Sequence, residues 1–209
     1  MATILSVAGG AGDAKAIDGA VAALANGGIV VYPTDTFYGL AVDPRNAAAA
    51  QALFVAKGRD AGRASPLIAA SIEQAELAVE FNARARVLAQ RFWPGPLSLI
   101  LPARASIDIA ILGGNSTAAI RVPAHDIARA FASAAGFCIT ATSANLSGYP
   151  PARSCNELSP SLLEHIAVVL DSGVLAGGLP STIVDVTSDA PRLIRAGAIA
   201  WERVLESLE

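Results

Sequence analysis

Residues 27–43 read GGIVVYPTDTFYGLAVD. Two glycines end whatever precedes them. Ile29 to Tyr32 is then a short apolar, β-branched run of the kind found in a buried strand. Pro33 closes it, and the loop beyond gathers Thr34, Asp35, Thr36, an exposed-looking Tyr38 and Gly39. Strand ends are where open α/β sheets bind ligands, so hydroxyls, carboxylates and a flexible backbone point at this position read as a small polar site. Upstream, Asp13 caps a helix that runs to about Asn26. Downstream, Ala47–Ala56 is helical, Leu67–Ala70 is a strand, Ser71 starts a short helix, and Asn82 caps another through Phe92. Strands follow at Leu97–Leu101, Ala118–Val122, Phe137–Ala141, Ile166–Leu170, Thr182–Val186 and Arg192–Arg195, with a helix from Pro123 to Gly136. Strands and helices alternate without strict order. That predicts an α/β fold built on a twisted mixed β-sheet flanked by helices, with residues 1–209 forming a single domain.

Composition supports a packed chain. Hydrophobic residues make up 53% and charged residues 16%, too little charge for disorder. No apolar run is long enough to span a bilayer. The first residues, MATILSVAGGAGDAK, lack the basic and apolar regions of a signal peptide. Cys138 and Cys155 are far apart and read as packed thiols in a reducing compartment, which implies a cytoplasmic protein. A net charge of -3 argues against a surface that grips nucleic acid throughout, and leaves a local cationic pocket open.

Several familiar chemistries are absent. AGGAGDAK has neither the order of a P-loop nor a preceding strand. His125 and His165 have no metal-ligand spacing and read as surface or capping residues, and no Ser-His-Asp arrangement is present. What remains is a set of strand-end loops: PTDTFYGL; Lys57-Gly58-Arg59 with Arg63; Ser116-Thr117 leading to Arg121; Thr142-Ser143-Ala144-Asn145; Ser181-Thr182; and Arg195-Ala196-Gly197. Alone, a Lys-x-Arg is commonly a solvated loop and a Ser-x-Asn a turn or cap. Together, cations and hydroxyls beside apolar strands suit an anion or nucleotide, whose oxygens need both charge and donors.

These segments, in this order and over nearly the whole chain, resemble the YrdC-like family, whose members include threonylcarbamoyl-AMP synthases. The matching stretches are GGIVVYPTDTFYGLAVD, Lys57-Gly58-Arg59 with Ser65-Pro66-Leu67, WPGPLSLIL, IRVP at 120–123, TSANLSG at 142–148, STIVDV and LIRAG. The pairing of Lys-x-Arg with Ser-x-Asn is the family's specific mark. The resemblance implies a concave basic cavity and a nucleotidyltransferase that joins L-threonine, bicarbonate and ATP, with Mg2+, into threonylcarbamoyl-AMP and pyrophosphate. It also implies bacterial partner proteins that transfer the group to tRNA adenosine. By the match, Lys57, Arg59, Ser143 and Asn145 are catalytic, and with Ser65, Thr117 and Arg195 they contact ATP. Thr34, Arg121, Ala141 and Ser181 surround L-threonine, Arg121 taking its carboxylate. Tyr38 is either a wall of that pocket or simple packing. No protein ligand for a metal is implied.

Two departures stand out. The loop KGRDAGRASPL is about two residues longer than the family's usual form, and Ala70 stands where some members carry a histidine. The chain's length matches the family's short form. Two other readings remain. One is an adenylating enzyme for another carbamate, as in hydrogenase-maturation proteins. The other is a module for double-stranded RNA binding and ribosome maturation, for which weak RNA binding is the expectation here.

Overall fold

The computed structural model describes residues 2–7, 13–58 and 62–209. The apolar run Ile29–Tyr32 is strand β2, buried along its whole length. Successive side chains on a strand point to opposite faces, and here the two faces feed two cores. Ile29 and Val31 join the larger, Val30 and Tyr32 the smaller. The missing polar alternation in IVVY is therefore the mark of a strand covered on both sides.

Numbered in chain order, β2 lies third in a five-stranded sheet, after β1 (Thr3–Ser6) and β9 (Ile166–Asp171) and before β3 (Gly39–Ala41) and β8 (Thr142–Ser143). β1 and β2 run parallel to β9, while β3 is antiparallel to both β2 and β8. A six-stranded sheet has the order β11 (Arg192–Arg195), β10 (Thr182–Asp185), β5 (Leu97–Pro102), β6 (Thr117–Arg121), β4 (Leu67–Ile68), β7 (Ile139–Thr140). It too mixes parallel and antiparallel pairs. The α/β class is as expected; the strands divide between two mixed sheets rather than filling one.

The shortest of the chain's passages between the sheets takes one residue, Ala141, with β7 in one sheet and β8 in the other. Side chains stitch this crossing. Thr140 Oγ1 donates to Leu40 O at 3.0 Å and accepts from Val42 N at 2.9 Å, and Tyr32 Oη donates to Thr140 O at 3.1 Å. Ala141 N donates to Pro66 O at 2.7 Å.

Helices α1 (Asp13–Ala25) and α5 (Asp126–Ala134) cover the smaller core, where the Tyr32 and Phe131 rings meet at 5.8 Å. Helices α2 (Ala47–Lys57) and α4 (Ala83–Phe92) serve the larger one. Their starts follow from capping chemistry. Asn46 and Asn82 each accept a backbone N–H three residues on, at 3.1 and 2.9 Å. α2 ends on Gly58, whose left-handed φ of 56° suits glycine. Short helices α3 (Ile72–Ala75), α6 (Pro160–Leu163) and α7 (Trp201–Glu206) complete the chain. α5 begins at Asp126 rather than at Pro123, because Arg129 Nη1 captures Pro123 O at 2.9 Å and holds 123–125 out of the helix. Cys138 and Cys155 are free thiols, the first buried.

Candidate active site

A cavity of about 350 Å3 lies where the two sheets meet. The five-stranded sheet supplies the loop after β2, Gly39 and Ser143. The six-stranded sheet supplies Leu67, Ser98, Arg121, Ile183 and Arg195. Ala141, the crossing residue, lines it as well. Gly39 is needed at this wall, since a Cβ there would stand 3.0 Å from the Tyr32 ring.

Thr34 is nearly buried, and its hydroxyl donates to Phe37 O at 2.6 Å. Thr36 N and Phe37 N lie 3.4 Å from the same oxygen, so the threonine closes its own turn and sets the loop's shape. Tyr38, read from the sequence as exposed, is 0% exposed. Its hydroxyl donates to Gly173 O at 2.8 Å and accepts from Ser172 N at 3.0 Å, and burial pushes its phenol far above the ordinary value. It anchors the start of the segment 172–180. Arg153 holds the middle of that segment through Leu175 O at 3.0 Å and Ala176 O at 3.2 Å. The segment delivers Pro180 and Ser181 to the cavity.

Ser181 Oγ sits 2.9 Å from the buried Ser98 Oγ and accepts from Arg195 Nη2 at 3.0 Å. Arg195 also donates to Ser181 O at 2.8 and 3.1 Å. Burial, and next the charge of Arg121, pull the Arg195 pKa down. Two guanidinium groups facing one cavity disfavour each other's charge, and an anion between them relieves this. Arg121, at the end of β6, donates through Nη1 to Asp35 Oδ2 at 2.7 Å.

Lys57 does not line this cavity. It is 4% exposed, and its ammonium donates to Ser143 O at 2.5 Å and Asn145 O at 2.8 Å. Its own carbonyl accepts from Ser147 N at 2.9 Å. Lys57 thus clamps the 143–147 loop from behind. Ser143 Oγ is bonded to Asn145 Oδ1, and Asn145 Nδ2 donates to Leu146 O at 2.9 Å and to Tyr149 O. Asn145 opens onto a neighbouring depression of about 480 Å3 lined by Leu146, Tyr149 and Pro150.

Thr34, Arg121, Ala141, Ser143, Ser181 and Arg195 therefore share one cavity. Ser65 lies just behind its wall, between the lining residues Ala64 and Pro66; its buried hydroxyl has no hydrogen-bond partner among the described residues. Thr117 opens β6 about 13 Å from Arg121 along the strand and does not line the cavity. Arg59 lies outside the described residues. Sequence reasoning passed over Asp35 and Ser98. Asp35 was visible in the quoted loop, and Ser98 as the lone polar residue inside PLSLIL. His125 occupies the N-cap position of α5 without a capping bond, its buried Nδ1 having no hydrogen-bond partner among the described residues. His165 is exposed. Among the described residues no group of three or more His, Cys, Asp or Glu side chains comes together to hold a metal ion.

The chain is similar to known proteins over most of its length. A family model, Sua5_yciO_yrdC, described as "Telomere recombination", matches residues 22–197. The threonylcarbamoyl-AMP synthase of Pyrococcus abyssi is 38% identical over 179 residues, 85% of this chain and 53% of that protein. The threonylcarbamoyl-AMP synthase of Xanthomonas euvesicatoria pv. vesicatoria is 38% identical over 181 residues, 84% of this chain and 96% of that one. The crystal structure of P. abyssi Sua5 complexed with L-threonine superposes with a TM-score of 0.91 at 34% identity, covering 98% of this chain and 60% of the other. The chain thus spans about half the length of the Pyrococcus relative and nearly all of the Xanthomonas one. With the family model covering most of its length, the chain belongs to the Sua5/YciO/YrdC family.

Proposed function

We propose that this chain is a threonylcarbamoyl-AMP synthase, joining L-threonine, bicarbonate and ATP into threonylcarbamoyl-AMP and pyrophosphate. The observation that carries the reading is the single cavity in which Thr34, Arg121, Ala141 and Ser181 lie beside Ser143 and Arg195. Arg121 takes the threonine carboxylate, for which a planar guanidinium fork is suited. Thr34, Ser181 and the Ala141 backbone surround the rest of the amino acid. Arg195, Ser143 and Asn145, with Arg59 and Thr117, hold the nucleotide. Ser65 lies behind the cavity wall and supports the neighbouring lining residues Ala64 and Pro66. Lys57 acts through the loop it clamps.

The threonine amine attacks the carbon of bicarbonate, and water leaves to give N-carboxythreonine. A carbamate oxygen then attacks the α-phosphorus of ATP as the bond to pyrophosphate breaks. The protein positions the reactants and stabilises charge, which needs no acid–base histidine. Mg2+ accompanies ATP in this reading. The expectation is that this ion would be held mainly by the triphosphate, with few protein ligands. When bound, the ion offsets charge on the departing pyrophosphate. No helix among the described residues is long and apolar enough to cross a membrane. We place the product's consumers among proteins that act on tRNA in the cytoplasm.

The test is pyrophosphate release from ATP with Mg2+, bicarbonate and each amino acid in turn. Release that requires both bicarbonate and L-threonine is expected. Release with another acceptor changes the substrate, and no release under any condition overturns the reading. Arg121→Ala is expected to raise KM for threonine while leaving that for ATP within about threefold.

A further inference from the structure

The loop that carries Thr34 also carries Asp35, which no motif reading assigned. Its Oδ2 accepts from Arg121 Nη1 at 2.7 Å, and the two side chains are only 23% and 14% exposed. This is not a water-screened surface pair. Arg121 lines the cavity and Asp35 does not. The carboxylate therefore grips the guanidinium from behind the wall. It engages one terminal nitrogen, so the remaining donors of the fork are left to the cavity side. Both ends of the contact are fixed by backbone. The Thr34 turn holds Asp35, and Arg121 pairs with Ile68 of β4, with Ala69 N donating to its carbonyl at 3.0 Å.

Resting on the synthase reading, we infer that Asp35 is a positioning residue for amino-acid recognition. It orients Arg121 toward the substrate carboxylate and sets the charge at that end of the cavity. Arg121 and Arg195 together present two positive charges, a match for a dianion. Asp35 cancels one, leaving a match for the single carboxylate of an amino acid. Removing the carboxylate should thus weaken L-threonine and strengthen inorganic phosphate in the same pocket. A residue with a merely structural role predicts no such inversion.

The experiment is a calorimetric titration of wild type, Asp35→Asn, Arg121→Ala and the double variant with L-threonine, inorganic phosphate and ATP. Asp35→Asn should weaken threonine about tenfold, tighten phosphate several-fold and leave ATP within about twofold. In the Arg121→Ala background it should change threonine binding by less than about twofold, because its partner is already gone. Wild type that binds no L-threonine overturns the synthase reading and this role with it. Wild type that binds while Asp35→Asn binds equally well, or loses the same factor with and without Arg121, overturns the positioning role alone. Should Asp35→Asn fail to fold, Asp35→Glu keeps the charge and moves it by one methylene. It is expected to weaken threonine a few-fold, and unchanged affinity there overturns the inference.

Discussion

Replacing Lys57 with methionine separates two jobs for the residue. The ammonium is buried at 4% exposure and donates to Ser143 O at 2.5 Å and Asn145 O at 2.8 Å, with Asn145 Oδ1 a further 3.5 Å contact. Hydrogen bonds from a charged group contribute about 1.5–3 kcal/mol each, so the two short ones together represent roughly 3–6 kcal/mol. Against this, the methionine variant no longer buries an ion, and its thioether packs along the path of the lysine stem. The Asn145 carbonyl loses this donor, while Ser143 O keeps Asn145 N at 3.0 Å. The net loss should be about 2–4 kcal/mol. For a chain of this size each kcal/mol moves the melting temperature by about 2–4 °C, so Lys57→Met should melt roughly 5–15 °C below wild type. Pyrophosphate release should fall with it, because Ser143 and Asn145 are no longer held. The assay is thermal unfolding by circular dichroism alongside ATP titration. A variant that melts within about 1 °C of wild type yet loses ATP binding would falsify the clamp, and would return Lys57 to the role of a phosphate-binding cation.

Other perturbations reach the site by different routes. A Cβ on Gly197 would stand 2.3 Å from Pro180 O and 2.6 Å from Thr182 N, so Gly197→Ala must displace the start of β10 and Ser181 with it. A loss of about 1–3 kcal/mol in urea unfolding is expected, with weaker threonine binding; a wild-type urea midpoint contradicts the contact. His125 titrates below its ordinary value because it is buried, with Asp35 and Asp126 pulling the other way and Arg129 adding to the depression. The unfolded chain then takes up the proton first, so stability drains away as pH falls below 6.5. Urea midpoints at pH 7.5 and 5.5 should differ less in His125→Gln than in wild type, and an unchanged difference refutes the assignment. The Gly173 N–H, donated to Asp171 at 2.8 Å, holds that carboxylate below the usual range, with Cys155 and Tyr38 assisting and burial opposing. Its stabilisation is complete above the unfolded value of 3.8 and is lost as pH falls through the folded one. Asp171→Asn should cost about 1 kcal/mol at pH 7 after allowance for solvent screening. It should also flatten the acid limb below pH 4, and an acid limb as steep as wild type counts against the contact.

What the sequence made legible was local. IVVY declared β2 because its neighbours in the chain, Gly28 and Pro33, bound it, and Ser71 and Asn82 declared helix starts by chemistry that spans three residues. The strands carrying Arg121 and Arg195, and the one that follows Ser181, were likewise readable, so most of the cavity's polar groups were nominated in advance. What escaped depends on distant partners. Tyr38 looked exposed because the residues beside it are polar, yet its hydroxyl is satisfied more than 130 positions away, at Gly173. Asp35 meets Arg121 across 86 residues. β3 is only three residues long and follows a polar loop, and β1 is a largely exposed edge strand with no alternation to betray it. The tightest passage between the two sheets turns on a single residue, for which no local pattern exists.

That residue, Ala141, has a mechanical consequence. The crease between the sheets is riveted by the Thr140 hydroxyl on one side and by the Ala141–Pro66 bond on the other. Prising the sheets apart means breaking buried hydrogen bonds together, whereas the rim is made of turns and the 172–180 segment, whose opening exposes far less. The chamber should therefore keep a constant depth while its mouth varies in width. Change in what the chamber accepts, by evolution or by design, is then cheapest at the rim, through the length and pinning of those loops, with the crease left as it is.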